Sequence, residues 1–264
     1  MIFQFQPGHT WYHRLDPVSK FVWLACVSVL CLAFETAAAQ GVLLLSVVLL
    51  GRCAAGLTLR AQWRGIRLPF YFGIPYFFLQ LLFLPGETSL LAIGSVILTV
   101  EALDYAAAVS LRLLTLVLAS LLFIATTDPR DVVLALAQQL RIPYRFAFAV
   151  SIALRFLPIL EAEASLVRSA QRLRGLPADQ SGGFRDRIKM GFANERRFAF
   201  SIFAGAVRRV QRMAEAMEGR AFGLYRGRTY LRQLRISRSG AALSFGSIIF
   251  TSLALILYFL SPEV

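Results

Sequence analysis

A long basic segment, residues 128–238, lies between two stretches of sequence that are apolar enough to cross a membrane. The segment carries 21 of the 28 Lys and Arg residues and 9 of the 15 Asp and Glu residues, so it holds +12 of the net charge of +13. In membrane proteins the basic residues between spans collect on the cytoplasmic side. We therefore expect residues 128–238 to form an arm that faces the cytoplasm and contacts a partner there.

The rest of the chain has the composition of a membrane protein. Hydrophobic residues make up 57% of the sequence, charged residues only 16%, and the mean hydropathy is +0.62; these values exclude an ordinary soluble domain. Residues 1–17 lack the short apolar run of a signal peptide, so we expect the N-terminus to stay attached and cytoplasmic. The three cysteines, Cys26, Cys31 and Cys53, have no CxxC spacing, which favours packing over a metal site.

Five stretches reach or approach the roughly 20 apolar residues that cross a bilayer: 18–34, 37–51, 68–85, 105–126 and 240–260. The connector between the second and third carries Arg52, Arg60, Arg64 and Arg67, which predicts a cytoplasmic loop. Residues 86–104 contain three acids and no Lys or Arg, so we expect them outside, with 89–100 as an interfacial helix. A short sixth crossing by 89–100 is the alternative.

These patterns predict an all-α integral membrane protein with about five transmembrane helices and a cytoplasmic arm of long amphipathic helices. The expected domains are a membrane region at 1–127 with about four spans, the arm at 128–238 and a C-terminal transmembrane helix at 239–264. Arg112 falls inside the fourth span, where a charge is costly. Pairing with Asp104, pairing with Glu101 and snorkelling to the interface remain open for it.

The arm shows clear signals for where its helices begin and end. Thr126-Thr127-Asp128-Pro129 provides an N-cap residue followed by proline, which predicts a helix start. Glycine followed by proline in Gly175-Leu176-Pro177 predicts a helix end. The expected elements are a short helix from 129 to about 140, a long helix over 144–175 containing Pro158, a polar turn at 178–190 and a helix over 194–219.

Both long helices end with an arginine beside a glycine. The endings read Arg172-Leu173-Arg174-Gly175 and Glu218-Gly219-Arg220-Ala221. A single arginine at a helix C-terminus is often only a cap, worth about 0.3–1 kcal/mol. Two such endings on one membrane-anchored arm favour a second interpretation, in which the arginine-bearing tips engage two copies of a partner with acidic grooves.

The order and spacing of several motifs resemble the transmembrane (T) component of energy-coupling factor (ECF) transporters, the family that includes EcfT, CbiQ and BioN. The resemblance covers His13-Arg14-Leu15-Asp16-Pro17 with Lys20, Thr126-Thr127-Asp128-Pro129, Ala153-Leu154-Arg155-Phe156-Leu157-Pro158, Ala170-Gln171 to Arg174-Gly175, and Ala216-Met217-Glu218 to Arg220. It implies a coupling subunit in a bacterial plasma membrane (the cell inner membrane). This subunit would transmit the motion of two ABC ATPase subunits to a substrate-binding membrane (S) subunit. The transported substrate would be a vitamin, cobalt or nickel.

The resemblance also implies which residues meet the partners. Arg174 and Arg220 would dock into the ATPases, with Arg172, Gly175, Glu218 and Gly219 beside them. This chain departs from the family's Ala-Arg-Gly pattern, because Leu173 precedes Arg174 and because glycine and alanine are exchanged around Arg220. The apolar faces of the arm are candidates for the S-subunit contact, or else they pack on each other; they include Phe146, Ile152, Leu157, Phe200 and Phe203.

No phosphate-binding loop of the Gly-x-x-x-x-Gly-Lys-[Ser/Thr] type occurs in the sequence. We therefore expect no catalytic residue and no cofactor or metal on this chain, with ATP and Mg²⁺ bound by the partner subunits. A membrane-bound enzyme is one alternative, but the chain has only two histidines and lacks a Gly-x-Ser-x-Gly elbow. A membrane-anchored nucleic-acid-binding protein is the other, although the arm lacks the interleaved aromatics of a stacking platform.

Overall fold

The computed structural model describes residues 8, 10–83, 89–93, 96–139, 142–173, 184–224 and 237–260. The described residues form a 3₁₀-helix, two strands and eight α-helices. In chain order they are the 3₁₀-helix Tyr12–Arg14, α1 Pro17–Ala33, α2 Ala37–Cys53, α3 Leu59–Phe83, β1 Ser89–Ile93, β2 Val96–Thr99, α4 Val100–Thr126, α5 Pro129–Gln138, α6 Tyr144–Leu173, α7 Phe184–Glu218 and α8 Arg238–Leu260.

The chain forms two compact units. One comprises Met1–Ile142 with Leu234–Val264, and the other comprises Pro143–Gln233. We call them the membrane unit and the arm unit. The short helix α5 therefore lies within the same unit as the apolar helices, whereas α6 and α7 make up the arm unit. The domain boundaries expected at 127/128 and 238/239 stay a prediction.

The membrane unit contains helices suited to a bilayer. Helix α4 and residues 238–258 of α8 are long and apolar enough to cross it, with mean hydropathies of 2.3 and 2.0. Helices α1 and α2, of 17 residues each, rise about 26 Å. Only 33% and 11% of the most apolar windows of α4 and α8 are buried, so these are not the core helices of a soluble protein. Large apolar side chains such as Phe72 and Leu260 point outward.

Contacts at the helix ends fix the helix directions in the membrane unit. The backbone N–H of Ala37, at the start of α2, donates to Asp104 near the start of α4 at 3.2 Å. At the opposite end, the last residue of α4, Thr126, accepts a hydrogen bond from Lys20 near the start of α1. Helices α1 and α4 therefore run in opposite directions, and α2 runs parallel to α4. A shared core fills the space between them and includes Tyr12, Trp23, Val27, Leu30, Leu43, Val47, Leu118 and Leu122.

The structure gives Arg112 a partner that the sequence did not suggest. Its guanidinium donates to the backbone carbonyl of Phe34 at 2.9 Å. The side-chain amide of Gln40 donates to the same carbonyl at 2.7 Å. Because the last carbonyls of a helix lack intrahelical partners, Arg112 and Gln40 together satisfy the end of α1.

Three expectations from the sequence were wrong. The apolar stretch 89–100 is not an interfacial helix, because β1 and β2 pair antiparallel with Ile93 opposite Val96, and α4 begins at Val100. Its β-branched residues favour strands. Helix α3 begins at Leu59 rather than near 68, so three of the connector arginines lie on the helix. Helix α7 begins at Phe184, within the segment expected to be a turn, because arginine and lysine are good helix formers.

Other expectations are confirmed. Asp128 is the N-cap of α5, its carboxylate accepts from the backbone N–H of Arg130 at 2.9 Å, and Pro129 takes the first helical position. The long helix of the arm runs through Pro158 and reaches Leu173. The all-α membrane architecture is confirmed as well, since the β1–β2 hairpin is the single sheet among the described residues.

Candidate functional site

Side-chain contacts join the two helices of the arm unit along their length. The rings of Phe148 and Phe222 lie 4.6 Å apart, and the guanidinium of Arg168 lies 4.6 Å from the ring centre of Phe198. An early residue of α6 meets the segment just after α7, and a late residue of α6 meets the first half of α7, so the helices are antiparallel. The end of α7 is thereby attached to the beginning of α6.

Helices α6 and α7 approach each other closely in the middle of the pair. Arg209 forms an ion pair with Glu163 at 3.4 Å, and both side chains are about one-third exposed. A Cβ added to Gly205 would lie 2.7 Å from a carboxylate oxygen of Glu163. The absence of a side chain at Gly205 therefore leaves room for Glu163 between the helices.

Helix α7 ends in a Schellman motif. The backbone N–H of Phe222 donates to the carbonyl of Met217 at 3.0 Å, and that of Ala221 donates to Glu218 at 2.9 Å. These two hydrogen bonds define the motif, and they place Ala221 at the position that normally takes a left-handed glycine. Ala221 indeed has φ 55°.

The exchange of glycine and alanine around Arg220 therefore has a physical consequence. A non-glycine residue in the left-handed region costs roughly 1–2 kcal/mol. Gly219 directly follows the last residue of α7, Glu218; its N–H still donates to the carbonyl of Glu215 at 2.9 Å, and alanine would be more stable in this helical conformation. The tip of α7 is thus strained at Ala221 and weakened at Gly219.

The proposed docking residues of this tip are accessible. Glu218, Gly219 and Arg220 are all exposed, and Arg220 stands between the last helical residues and the strained Ala221. At the other tip, Arg172 lies on the last turn of α6. Arg174 and Gly175 fall outside the described residues.

Most of the residues expected to meet the S subunit are exposed. Phe146, Leu157, Phe200 and Phe203 are between 57% and 72% exposed, and Ile152 is half-buried. Packing of α6 on α7 therefore does not cover these four side chains. An apolar surface of this kind marks a site for a partner or for lipid.

A buried polar cluster at the start of α1 was not assigned a role from the sequence. Lys20 is 1% exposed, and its ammonium donates to the carbonyl of Thr126 at 2.8 Å. The carboxylates of Asp16 and Asp131 interact with its charge. The signal in the sequence was a lysine within an apolar span, because such a charge either reaches the interface or pairs with another group.

Tyr12 closes one side of this cluster. Its side chain is fully buried, and burial raises the pKa of the phenol above its usual range. The ammonium of Lys20 lies 5.3 Å from the centre of its ring, a distance suited to a cation–π interaction. The neutral ring of Tyr12 therefore stabilises the positive charge of Lys20.

The structure offers no metal centre within the residues that it describes. Cys31 is buried, Cys26 is half-buried and Cys53 is exposed, and all three are free. Among those residues, no group of three or more His, Cys, Asp or Glu side chains could hold a metal ion.

Comparison with known proteins shows the family. The model of the family CbiQ, described as cobalt transport protein, matches residues 8–231. The energy-coupling factor transporter transmembrane protein EcfT of Leuconostoc gelidum is 30% identical over 84% of this chain and 83% of its own. The EcfT proteins of Heliobacterium modesticaldum and Ruminiclostridium cellulolyticum are 31% and 28% identical. They cover 89% and 94% of this chain, and 88% and 92% of their own. The chain therefore belongs to the CbiQ/EcfT family of transmembrane components of energy-coupling factor transporters.

Proposed function

We propose that this chain couples two ABC ATPase subunits to a substrate-binding S subunit in a bacterial plasma membrane. The N-terminus and the arm unit lie in the cytoplasm, where the ATPases bind ATP and Mg²⁺. The substrate is a vitamin, cobalt or nickel. The family description and the names of the relatives support a role in transport, and the basic arm supports the cytoplasmic orientation.

The exposed Arg220 at the end of α7 is the observation that carries this proposal. The Schellman motif and the Phe148–Phe222 contact hold the backbone on the C-terminal side of Arg220, while its own side chain remains exposed. A guanidinium offers five donors in a planar fork, which can bridge a carboxylate and backbone carbonyls of a partner. Arg174, in the corresponding ending after α6, takes the same role at the second ATPase.

Docking can be tested by co-expression with a candidate ATPase pair and purification through a tag on this chain. Arg220→Ala and Arg174→Ala are expected to release ATPase subunits or to uncouple ATP hydrolysis from uptake. Arg212→Ala is the matched control, because Arg212 is also exposed on α7 and, among the described residues, its side chain bonds only to the carbonyl of Arg208 in its own helix.

A cap role for Arg220 gives a different result. An arginine that only caps α7 contributes about 0.3–1 kcal/mol to the helix and nothing to the partner. If Arg220→Ala and Arg174→Ala both retain the ATPases and coupled uptake as the Arg212→Ala control does, the docking role is wrong. Arg220→Lys separates charge from geometry, because lysine keeps the charge and loses the planar fork.

The S-subunit contact rests on the exposed apolar side chains of the arm unit. Phe200 and Phe203 lie three residues apart on α7, so they share one face of the helix. Replacing both by serine is expected to reduce the amount of S subunit that copurifies, while the ATPases stay bound. Unchanged retention of the S subunit would assign this face to lipid instead.

The transported compound can be identified by uptake into cells that express the full complex. Radiolabelled cobalt(II), nickel(II) and vitamins are the probes, each compared with cells in which the ATPases carry an inactivating substitution. ATP-dependent accumulation of one probe identifies the substrate class. Accumulation of none of them would contradict the proposed substrate range.

A further inference from the structure

The segment that precedes α1 and the first turn of α1 contact several other helix ends of the membrane unit. The backbone N–H of Tyr12 donates to the carbonyl of Ala54, just after α2, at 3.4 Å. The side chain of Lys20 reaches the last residue of α4. Asp16 reaches the residue that precedes α8, Ser237. The start of α1 is therefore a junction of three other helices.

Asp16 forms a hydrogen bond at the beginning of α8. Its carboxylate accepts a hydrogen bond from the backbone N–H of Ser237 at 2.5 Å, and Asp16 is only 7% exposed. A Cβ added to Gly240, in the first turn of α8, would lie 2.7 Å from the same carboxylate oxygen. A negative charge at a helix N-terminus is favourable, and Gly240 leaves it the space to approach.

Lys20 forms a hydrogen bond at the end of α4. Its ammonium bonds to the carbonyl of Thr126, which is one of the last carbonyls of that helix and lacks an intrahelical partner. The charge of Asp131, on α5, also interacts with Lys20. Lys20 thereby connects α1 to the end of α4, three residues before α5 begins.

Both contacts involve residues next to the points where the chain leaves and rejoins the membrane unit. The chain passes from the membrane unit into the arm unit after Ile142 and returns at Leu234. Thr126 and Asp131 precede the outgoing connection, and Ser237 follows the returning one. Asp16 is the N-cap of α1, and the backbone N–H of Lys20, in the first turn, donates to its carbonyl at 3.2 Å, so both residues lie at the same end of the helix.

We propose that Asp16 and Lys20 are positioning residues that tie both connections of the arm to α1, so that a displacement of the arm is transmitted to the membrane helices. This inference rests on the proposed coupling function. Without the two contacts, movement of the arm would displace only the connecting segments where the chain leaves and rejoins the membrane unit, and the membrane helices would stay in place. Neither residue needs to touch ATP, the ATPases or the substrate.

The test uses the complex with its ATPases and a pair of nitroxide labels in the membrane unit. Cysteines are introduced at Leu32 of α1 and Phe72 of α3, which are both exposed, after the three native cysteines are replaced by alanine. The distance between the labels is measured by pulsed electron paramagnetic resonance without nucleotide and after trapping with ATP and vanadate. The rate of ATP hydrolysis is measured on the same samples.

In the otherwise unchanged complex, trapping is expected to shift the distance between the labels. In Lys20→Met and Asp16→Leu this shift is lost, while ATP hydrolysis stays within about twofold. Asp16→Asn keeps an oxygen for the N–H of Ser237 and removes only the charge, so a smaller loss is expected; it is also the milder variant if Asp16→Leu does not assemble. Amide exchange at Ser237 should speed up in Asp16→Leu, which reports the broken contact itself.

Gly65→Ala is the control for stability alone, because it crowds the contact of α3 with α4 and leaves Asp16 and Lys20 unchanged. It should keep the distance shift. The inference is overturned if the unchanged complex shows no shift on trapping, if the Asp16 and Lys20 variants keep the full shift, or if Gly65→Ala loses it equally. Failure of the proposed function would give a different result from failure of this inference, because this chain would then not retain the ATPases at all.

Discussion

The guanidinium of Arg112, midway along α4, lies 2.9 Å from the backbone carbonyl oxygen of Phe34 at the end of α1. The two residues are 78 positions apart in the sequence. The side chain of Gln40 bonds to the same oxygen, so one carbonyl accepts from two helices. An arginine in an apolar span is thereby used to complete the end of a neighbouring helix rather than to bind a solute.

Replacing Arg112 by methionine is expected to lower the free energy of unfolding by about 1.5–3 kcal/mol, the range for a hydrogen bond with a charged partner. Unfolding of the chain in detergent micelles would measure the loss. Arg64→Met is the matched control, because Arg64 is exposed and, within the part of the chain that the structure describes, its side chain bonds only to a carbonyl of its own helix. Equal stability of the two variants would show that the contact of Arg112 contributes little.

The contact between α3 and α4 gives a second prediction. A Cβ added to Gly65 would overlap a methyl carbon of Leu121, and Leu121 is only 5% exposed, so its side chain has little room to move. Overpacking of this kind typically costs about 1–3 kcal/mol. Gly65→Ala is therefore expected to lower the midpoint of thermal unfolding in detergent.

Gly73 provides the control within the same helix. A Cβ added there meets nothing within 4 Å, because Gly73 lines an apolar cavity of about 370 Å³ together with Phe77, Ala107 and Ser110. Gly73→Ala should raise the midpoint, since alanine is more stable than glycine in a helix by up to about 1 kcal/mol. A rise in both variants would show that α3 and α4 are less closely packed at Gly65 than the structure indicates.

Local signals in the sequence predicted much of this fold correctly. Asp128 followed by Pro129 indicated the start of α5, and the structure confirms both the cap and the helix. Apolar stretches of sufficient length indicated the membrane helices. These features depend on a few neighbouring residues, so a single sequence contains the information.

Features that depend on residues distant in sequence could not be predicted in the same way. Nothing near Arg112 indicates that its partner is the carbonyl of Phe34, since the choice depends on how α1 packs against α4. The motif containing Asp16 and Lys20 was visible, but its contacts with Thr126 and Ser237 bring together residues more than 100 positions apart. The hairpin at 89–99 was missed because an apolar stretch of this length suits a helix as well as a pair of strands.

The tip of α7 gives the last prediction. Ala221 has a left-handed φ of 55°, which glycine adopts without strain. Ala221→Gly is therefore expected to stabilise the end of α7 by about 1 kcal/mol. Ala216→Gly, five residues earlier and inside the same helix, is the matched control and should destabilise it by about 1 kcal/mol. Hydrogen exchange of the backbone amides of Gly219 to Phe222 measures both effects: exchange should slow in Ala221→Gly and speed up in Ala216→Gly. If both variants speed up exchange, the left-handed conformation of Ala221 is not what limits the stability of this tip.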